Sequence, residues 1–549
     1  MKPFLSSSVY RLLFLLAAIV YIIGLFVPLM DNDSAHHADI ALRMYLTGDY
    51  VNLVDKGRDY LDKPHLHFWL SAFSYHLFGV TGFAYKFPSF LFTLLGTYAT
   101  YRLGKSLYNK ETGKLAALLV CTAFAYILAN NDVRMDAILT ASIVLATWQL
   151  VDWVNTKRLV NVLGAALGLA LGFCTKGHIA VVTPAISIFF YILYKRDWRS
   201  FYHWQLLPLI LLFFLFISPV VYCYYLQYDL HPEKEVRGRT GISGVQFILW
   251  QQSFERFEGD SFGSDAKNDY FFFIHSFLWA FAPWSILGFI AFVSRLKTFA
   301  NRRYEWLTIG TFALIMVLIS LSGFKLPHYL NIIFPIASVL TASYLLSNSE
   351  NHALIKRLGV VQAVVCTLCL LAAALVNVWA FPITNMITII GFLALVLFIF
   401  SLAKRLVNKV QKIIALSACT TLLIFYLLNA SFYPQLLRYQ AGNELAKKVK
   451  QHIGAKNVYF QDGESSWSLN FYTATLHQPF NDSILNSGKS LWIVTNNERI
   501  GELSSQYQLG KQYRHIDYEI TRLEGKFINP ATRKGATREM IIAEVLGKK

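Results

Sequence analysis

Runs of apolar residues long enough to cross a bilayer recur along this chain, and they constrain its fold more than any other feature. A membrane helix needs about 20 predominantly apolar residues. Leu12–Met30 is the first such run and contains no charged residue. Further runs lie near 83–101, 115–129, 137–154, 160–174, 178–194, 204–226, 270–293, 306–322, 328–346, 358–379, 383–402 and 413–430, about 13 in all. Composition agrees. Hydrophobic residues make up 55% of the 549 and charged residues 15%, against about 25% charged in soluble domains. One soluble core would stop growing near ~250–300 residues. The expectation is an all-α polytopic membrane protein, with disulfide-scaffold, collagen-like and disordered classes excluded. Lys2 and Arg11 precede the first run and no small-residue cleavage site follows it, so it reads as a retained anchor.

The net charge of +17 suggests nucleic acid in a soluble protein, but here the positive-inside rule explains it. With the N-terminus in the cytoplasm, alternate loops hold Arg102/Lys105/Lys110/Lys114, Lys157/Arg158, Lys195/Arg196/Arg199, Arg295/Lys297/Arg302/Arg303, Lys356/Arg357 and Lys404/Arg405/Lys409/Lys412. Every one is basic and belongs inside. The loops 31–66, 130–136, 175–178, 227–269, 323–328 and 380–382 then face outward, with everything after about 433. The six cysteines lie in apolar stretches, and Cys366-x-x-Cys369 reads as small packing residues rather than a metal or redox pair.

Two units follow: a transmembrane unit, 1–433, and a soluble extracytoplasmic α/β unit, 434–549. Within the first, loop 31–66 contains a stretch, Ala35–Leu46, with apolar residues at helical spacing, expected to lie on the membrane surface. Loop 227–269 is polar and Gly-containing and reads as a lid. In the tail, QAGNELAKKVKQHI and WSLNFYTATL read as helices, NVYFQ and SLWIVTN as strands.

Ionisable residues at membrane ends are functional candidates by default. Asp33, Asp136, Lys176 and Lys325 sit at such ends, and Asp62, Lys63 and His65 at another, in YLDKPHLHFWL. Arg256 lies in the lid stretch FERFEG. A carboxylate can orient or deprotonate a hydroxyl, and cations can hold a departing phosphate. Tyr60, Trp69, Trp284 and Tyr329 are candidates to line a sugar or lipid pocket. The blander readings are a juxtamembrane acid for Asp33, snorkelling anchors for Lys176 and Lys325, interface aromatics, and a solvated pair for His36/His37. No G-x-x-x-x-G-K-[ST] loop and no H-E-x-x-H is present, so nucleotide hydrolysis and zinc-protease chemistry lack their usual signals.

Several motifs go further. An Asp just after the first span is followed by ALRMYLTGDY, DYLDKPHLHFWLSAFSYHLFG and KFPSF. The Asp136 region, TKGHIAVVTP, FERFEG, FAPWSILG and KLPHYLNIIFP then come in order. From about residue 9 to 346 the chain resembles the GT-C glycosyltransferases of the protein-mannosyltransferase superfamily, and in particular the bacterial branch with the lipid A aminoarabinose transferases. The resemblance implies a GT-C fold. It also implies sugar transfer from a polyprenyl-phosphate-linked donor, such as an undecaprenyl phosphate sugar, to an envelope lipid, glycan or protein acceptor on the periplasmic face, with inversion. The protein would then reside in the inner membrane.

Residue by residue, Asp33 and Asp136 match the two extracytoplasmic catalytic acids. Tyr60, Asp62 and Lys63 match the Y-x-[DE]-K-P segment, with Lys63 on the donor phosphate. Arg256 matches a lid arginine also facing phosphate, and Lys325 and Tyr329 match the later K-L-P-x-Y segment, toward the substrate. His36 and Lys176 are further candidates. Three positions depart from the pattern. Ser34 replaces a second acid, His36 a basic residue, and Ser253 a histidine of the aminoarabinose branch. The metal therefore stays open between none and a divalent cation, and so do the sugar and the acceptor. The alternative function is a carrier or flippase for polyprenyl-linked sugars, without transfer.

Overall fold

The computed structural model describes residues 4–252, 254–255, 269–406, 408–487 and 491–549. Among these, eight helices are long and apolar enough to cross a membrane: Ser7–Leu25, Asp136–Thr156, Leu159–Lys176, Leu206–Asp229, Pro327–Ser347, His352–Ala380, Met386–Arg405 and Lys409–Tyr439. The pair Lys110–Cys121 and Phe124–Asn131, bent by 54°, makes a ninth if taken as one span. This is fewer than the 13 expected, although each of the 13 stretches is helical. Ile179–Lys195 and Leu307–Leu321 are apolar but short. The stretch near 270–293 is broken into Phe272–Ala280 and Ser285–Lys297.

Helices are numbered here as far as the site requires: α1 Ser7–Leu25, α2 Asp33–Thr47, α3 Leu66–Phe78, α4 Gly82–Leu107, α5 Lys110–Cys121, α6 Phe124–Asn131, α7 Asp136–Thr156, α8 Leu159–Lys176 and α9 Ile179–Lys195. Helix α4 is long but carries Lys86, Arg102 and Lys105. Lys86 is fully buried and donates to the carbonyls of Gly24 (3.3 Å) and Val27 (2.7 Å). Its charge thereby meets carbonyls at the end of α1, where a helix has no internal donors left.

Pro327–Ser347 and α7 lie innermost, 89% and 83% of their apolar stretches being buried, against 11% for His352–Ala380 and Met386–Arg405, which face outward. Small residues let the inner helices approach, as is usual where lipid gives no hydrophobic drive. A Cβ on Gly113 of α5 would lie 2.3 Å from the Tyr101 carbonyl oxygen of α4. Trp284, expected as a pocket residue, is instead fully buried in the core, its indole N–H donating to Thr122 (3.0 Å). All six cysteines are free.

The first loop holds a helix over the expected stretch, α2, with residues 34, 35, 37–42 and 44 buried in the protein. It also holds a hairpin that the periodicity did not reveal, β1 (Val54–Asp55) against β2 (Arg58–Asp59). Lys56 and Gly57 both have positive φ at its turn, as a tight two-residue hairpin demands. The C-terminal region builds a four-stranded sheet from β3 (Val458–Phe460), β4 (Leu491–Asn496), β5 (Tyr507–Asp517) and β6 (Arg538–Lys548), in the order β3-β4-β6-β5. Only the β3–β4 pairing is parallel.

The helix Trp467–Thr473 carries this region onto the first loop. Trp467 donates to Asp55 (3.0 Å), Ser468 to Asp31 (2.9 Å) and Asn470 to Asp39 (3.3 Å). Gln440 donates to the Leu29 carbonyl (3.0 Å) and accepts from the Asp31 amide (2.8 Å).

Candidate active site

Asp33 opens α2 directly after the first span, in the helix's first turn, where the helix dipole favours a negative charge. Its carboxylate is half exposed and accepts from Arg134 (2.9 Å). The same guanidinium grips Asp132 at 2.7 Å. Burial raises the Asp132 carboxyl above its usual range even so. Arg134 lies in the short segment between α6 and α7, where Met135 is held at φ +82°. A bulky residue there costs roughly 1–3 kcal/mol, and the strained turn puts Arg134 on one side and Asp136 on the other.

Asp136 opens α7 and accepts from Lys176, the last residue of α8, at 2.6 Å, both side chains being at least 94% buried. The ammonium also lies 5.2 Å from the centre of the Tyr329 ring. Asp136, Lys176 and Tyr329 line one end of a cavity of about 280 Å³, whose other walls are mostly apolar, including Leu139, Ile179 and Leu318. A charged rim over an apolar chamber suits a ligand that has one ionic end and a hydrocarbon body.

The electrostatics tie these groups to the first loop. His328 feels the charges of Lys176, Arg134, Asp33 and Lys63 together. His37, on α2, lies well below the usual imidazole range, first through burial and then through His36, His67, Lys63 and Lys176. His67 is pushed down to about 3 by burial. The structure therefore gathers Asp33, Lys63, Asp136, Lys176 and Tyr329 with neutral imidazoles.

Other expected residues stand a little apart. His36 pairs with Asp55 at 3.1 Å and stacks on Trp467 with ring centres 4.5 Å apart, while Tyr60 meets its edge at 5.3 Å. Asp62 is paired with Arg237, which also reaches Glu255 (3.0 Å). Lys325 is buried, 5.7 Å from the Tyr270 ring centre. Arg256 and Ser253 lie outside the described residues.

Arg134, Arg237, His328 and Trp467 were missed. For the two arginines a signal existed, since each is a cation in a loop assigned outward, against the positive-inside bias. Trp467 carried none, because its role depends on a fold contact 412 residues away. A divalent cation would need several oxygen ligands. Among the described residues no three His, Cys, Asp or Glu come together to hold one.

A family profile described as "Dolichyl-phosphate-mannose-protein mannosyltransferase" matches residues 62–223, the stretch that supplies Lys63, Arg134, Asp136 and Lys176. The chain superposes on the crystal structure of ArnT from Cupriavidus metallidurans bound to undecaprenyl phosphate, with a TM-score of 0.75 over 98% of both chains at 16% identity. The chain shares the fold of that structure. It is 25% identical over 343 residues to the undecaprenyl phosphate-alpha-4-amino-4-deoxy-L-arabinose arabinosyl transferase of Pseudomonas aeruginosa strain UCBPP-PA14, covering 61% of this chain and 56% of that protein. The match thus spans just over half the length of that relative. The fold is also similar, more distantly, to that of the oligosaccharyltransferase AglB of Archaeoglobus fulgidus, solved with an inhibitory peptide and a dolichol-phosphate. There the TM-score is 0.50 at 11% identity over 91% of this chain and 73% of that one.

Proposed function

We propose that this protein is a membrane glycosyltransferase that moves a sugar from a polyprenyl-phosphate-linked donor to an envelope lipid, glycan or protein acceptor at the periplasmic face, with inversion. The observation that carries this reading is the half-exposed Asp33 carboxylate, held by Arg134, beside the buried Asp136–Lys176 pair on the rim of an apolar cavity. The arabinosyl transferase relative, whose name specifies an undecaprenyl phosphate sugar, supports the donor class.

In this mechanism the acceptor oxygen attacks the anomeric carbon from the side opposite the phosphate. The new glycosidic bond forms as the bond from that carbon to the phosphate oxygen breaks, and polyprenyl phosphate leaves with the electron pair. Asp33 takes the hydroxyl proton, or only orients the acceptor where that acceptor is already an anion. Lys63, with Arg256 from the lid, stabilises the departing phosphate. Asp136 fixes Lys176 beside Tyr329, where the ammonium adds positive potential without being free to wander. The neutral imidazoles of His37 and His67 leave that potential to the lysines. Lys325 and Tyr329 line the approach of the substrate, and Tyr60 and Asp62 set the shape of the first loop.

The test uses purified protein in lipid nanodiscs with an undecaprenyl-phosphate sugar, followed by mass spectrometry of the glycan or lipid product. Asp33→Asn should cost ~10²–10⁴-fold in transfer with insertion and donor binding intact. Full activity in that variant would refute the assignment. Vectorial movement of the donor across vesicles without any transfer would instead establish a carrier.

A further inference from the structure

A second, larger cleft lies between the first loop and the C-terminal sheet region, with a volume of about 770 Å³, within the ~300–1,000 Å³ of small-molecule sites. Its walls differ from those of the cavity beside Lys176. One wall is α2 and the β1–β2 hairpin, the other the segment from Phe460 to Pro479. Acids and bases alternate around it: Asp39, Asp59 and Asp462 with Arg43, Lys56 and Arg58.

Most of the carboxylates there are already engaged. Asp55 holds His36, Asp59 accepts from Gln227 (2.8 Å), and Glu464 accepts from Asn496 (2.8 Å). Asp462 is exposed, and Asp39 is the buried exception. It is 95% buried, takes one long hydrogen bond from Asn470, and its other carboxyl oxygen has no hydrogen-bond partner among the described residues. A buried polar atom left unmatched is expensive unless a ligand completes it.

Resting on the glycosyltransferase reading above, we propose that this cleft binds the hydroxylated, phosphate-free glycan portion of the acceptor. Sugar hydroxyls both donate and accept, so a wall of alternating acids and bases satisfies them in either sense. A phosphate would have to face the Asp59 and Asp462 carboxylates. Tyr60 lines the cleft, and its ring meets that of His36, one helical turn beyond Asp33. A glycan seated here would point toward Asp33 from the aqueous side, opposite the apolar cavity. Asp39 is then a specificity residue, acting on the acceptor and not on the reacting atoms.

The experiment uses the full-length protein in nanodiscs and saturation-transfer NMR with disaccharides of glucose, galactose, mannose and N-acetylglucosamine. Inorganic phosphate and undecaprenyl phosphate are measured in parallel. Ser465→Trp, at the exposed rim of the cleft, blocks entry without touching the core, and Asp39→Ala removes the unmatched carboxyl. The expected result is transfer to at least one disaccharide, reduced at least fivefold in both variants, with undecaprenyl phosphate binding unchanged. Disaccharide signals equal in wild type and Ser465→Trp would overturn the proposal, as would no disaccharide signal, or phosphate competing for the cleft. Loss of undecaprenyl phosphate binding by the wild type would instead count against the glycosyltransferase reading itself.

Discussion

Asp33 and Asp136 look alike in the sequence, each an acid at the outward end of a span, yet their environments separate their roles. Asp33 is half exposed and shares Arg134, so its loss removes the proposed base but no core contact. Asp136 is locked to Lys176 out of water. Asp136→Asn leaves a buried ammonium without its counter-charge, a change that costs about 3–5 kcal/mol when one partner of a buried pair is removed. Thermal unfolding in detergent should therefore drop sharply for Asp136→Asn and hardly move for Asp33→Asn. Asp136→Asn combined with Lys176→Met should recover most of the loss. If the single and double variants melt together, the pair is not the stabilising unit described. The positions of Asp33, Lys63 and Asp136 were legible because an ionisable group beside an apolar run has few reasons to be there. Arg134 was hidden in plain sight between two acids, since nothing local distinguishes a bridging guanidinium from a solvated one.

Among the elements, the contact of α2 and its hairpin with the helix Trp467–Thr473 is the most sensitive to pH. Burial pushes the Asp31 carboxyl up to about 7 and the Asp39 carboxyl up to about 8. Both accept hydrogen bonds from that helix. The folded state thus holds two protons that an unfolded chain, with carboxyls near ~3.9, releases earlier. The contribution of these groups is greatest below about pH 4 and declines as pH rises through 8. Protection of residues 467–473 against hydrogen exchange, taken relative to the intrinsic rate at each pH, should fall between pH 5.5 and 8.5, and Asp31→Asn with Asp39→Asn should flatten that dependence. Trp467→Ala should speed the same exchange at every pH and slow transfer several-fold, because His36 then loses the surface it stacks on. Helix α2 was readable from its apolar period and the short strands β3 and β4 from their composition. Strands β5 and β6 were not, since QLGKQYRH and REMIIAEV mix polar and apolar residues, and only pairing in the sheet settles them.

At the scale of the whole molecule, the basic loops and the catalytic face should lie on opposite sides of the membrane. Single cysteines at Lys110 and Lys356, in a background lacking the native ones, should react with a membrane-impermeant maleimide only after the cells are opened. One at Asp462 should react in intact spheroplasts. Labelling of all three from the same side would contradict the orientation proposed here. The thirteen helical stretches were visible as apolar runs. Their division, among the described residues, into eight full spans and several short, bent or charged ones was not, as Lys86 illustrates: its burial depends on the carbonyls of Gly24 and Val27.

Gln440 clasps the backbone on both sides of Met30, four hundred residues upstream. A ribosome must therefore finish nearly the entire polypeptide before the opening loop gains its bracket. Newly inserted protein would sit in the bilayer inert until its final fifth emerged and docked. Two fragments parted between the helices Met386–Arg405 and Lys409–Tyr439 and made in the same cell should regain activity that neither shows alone.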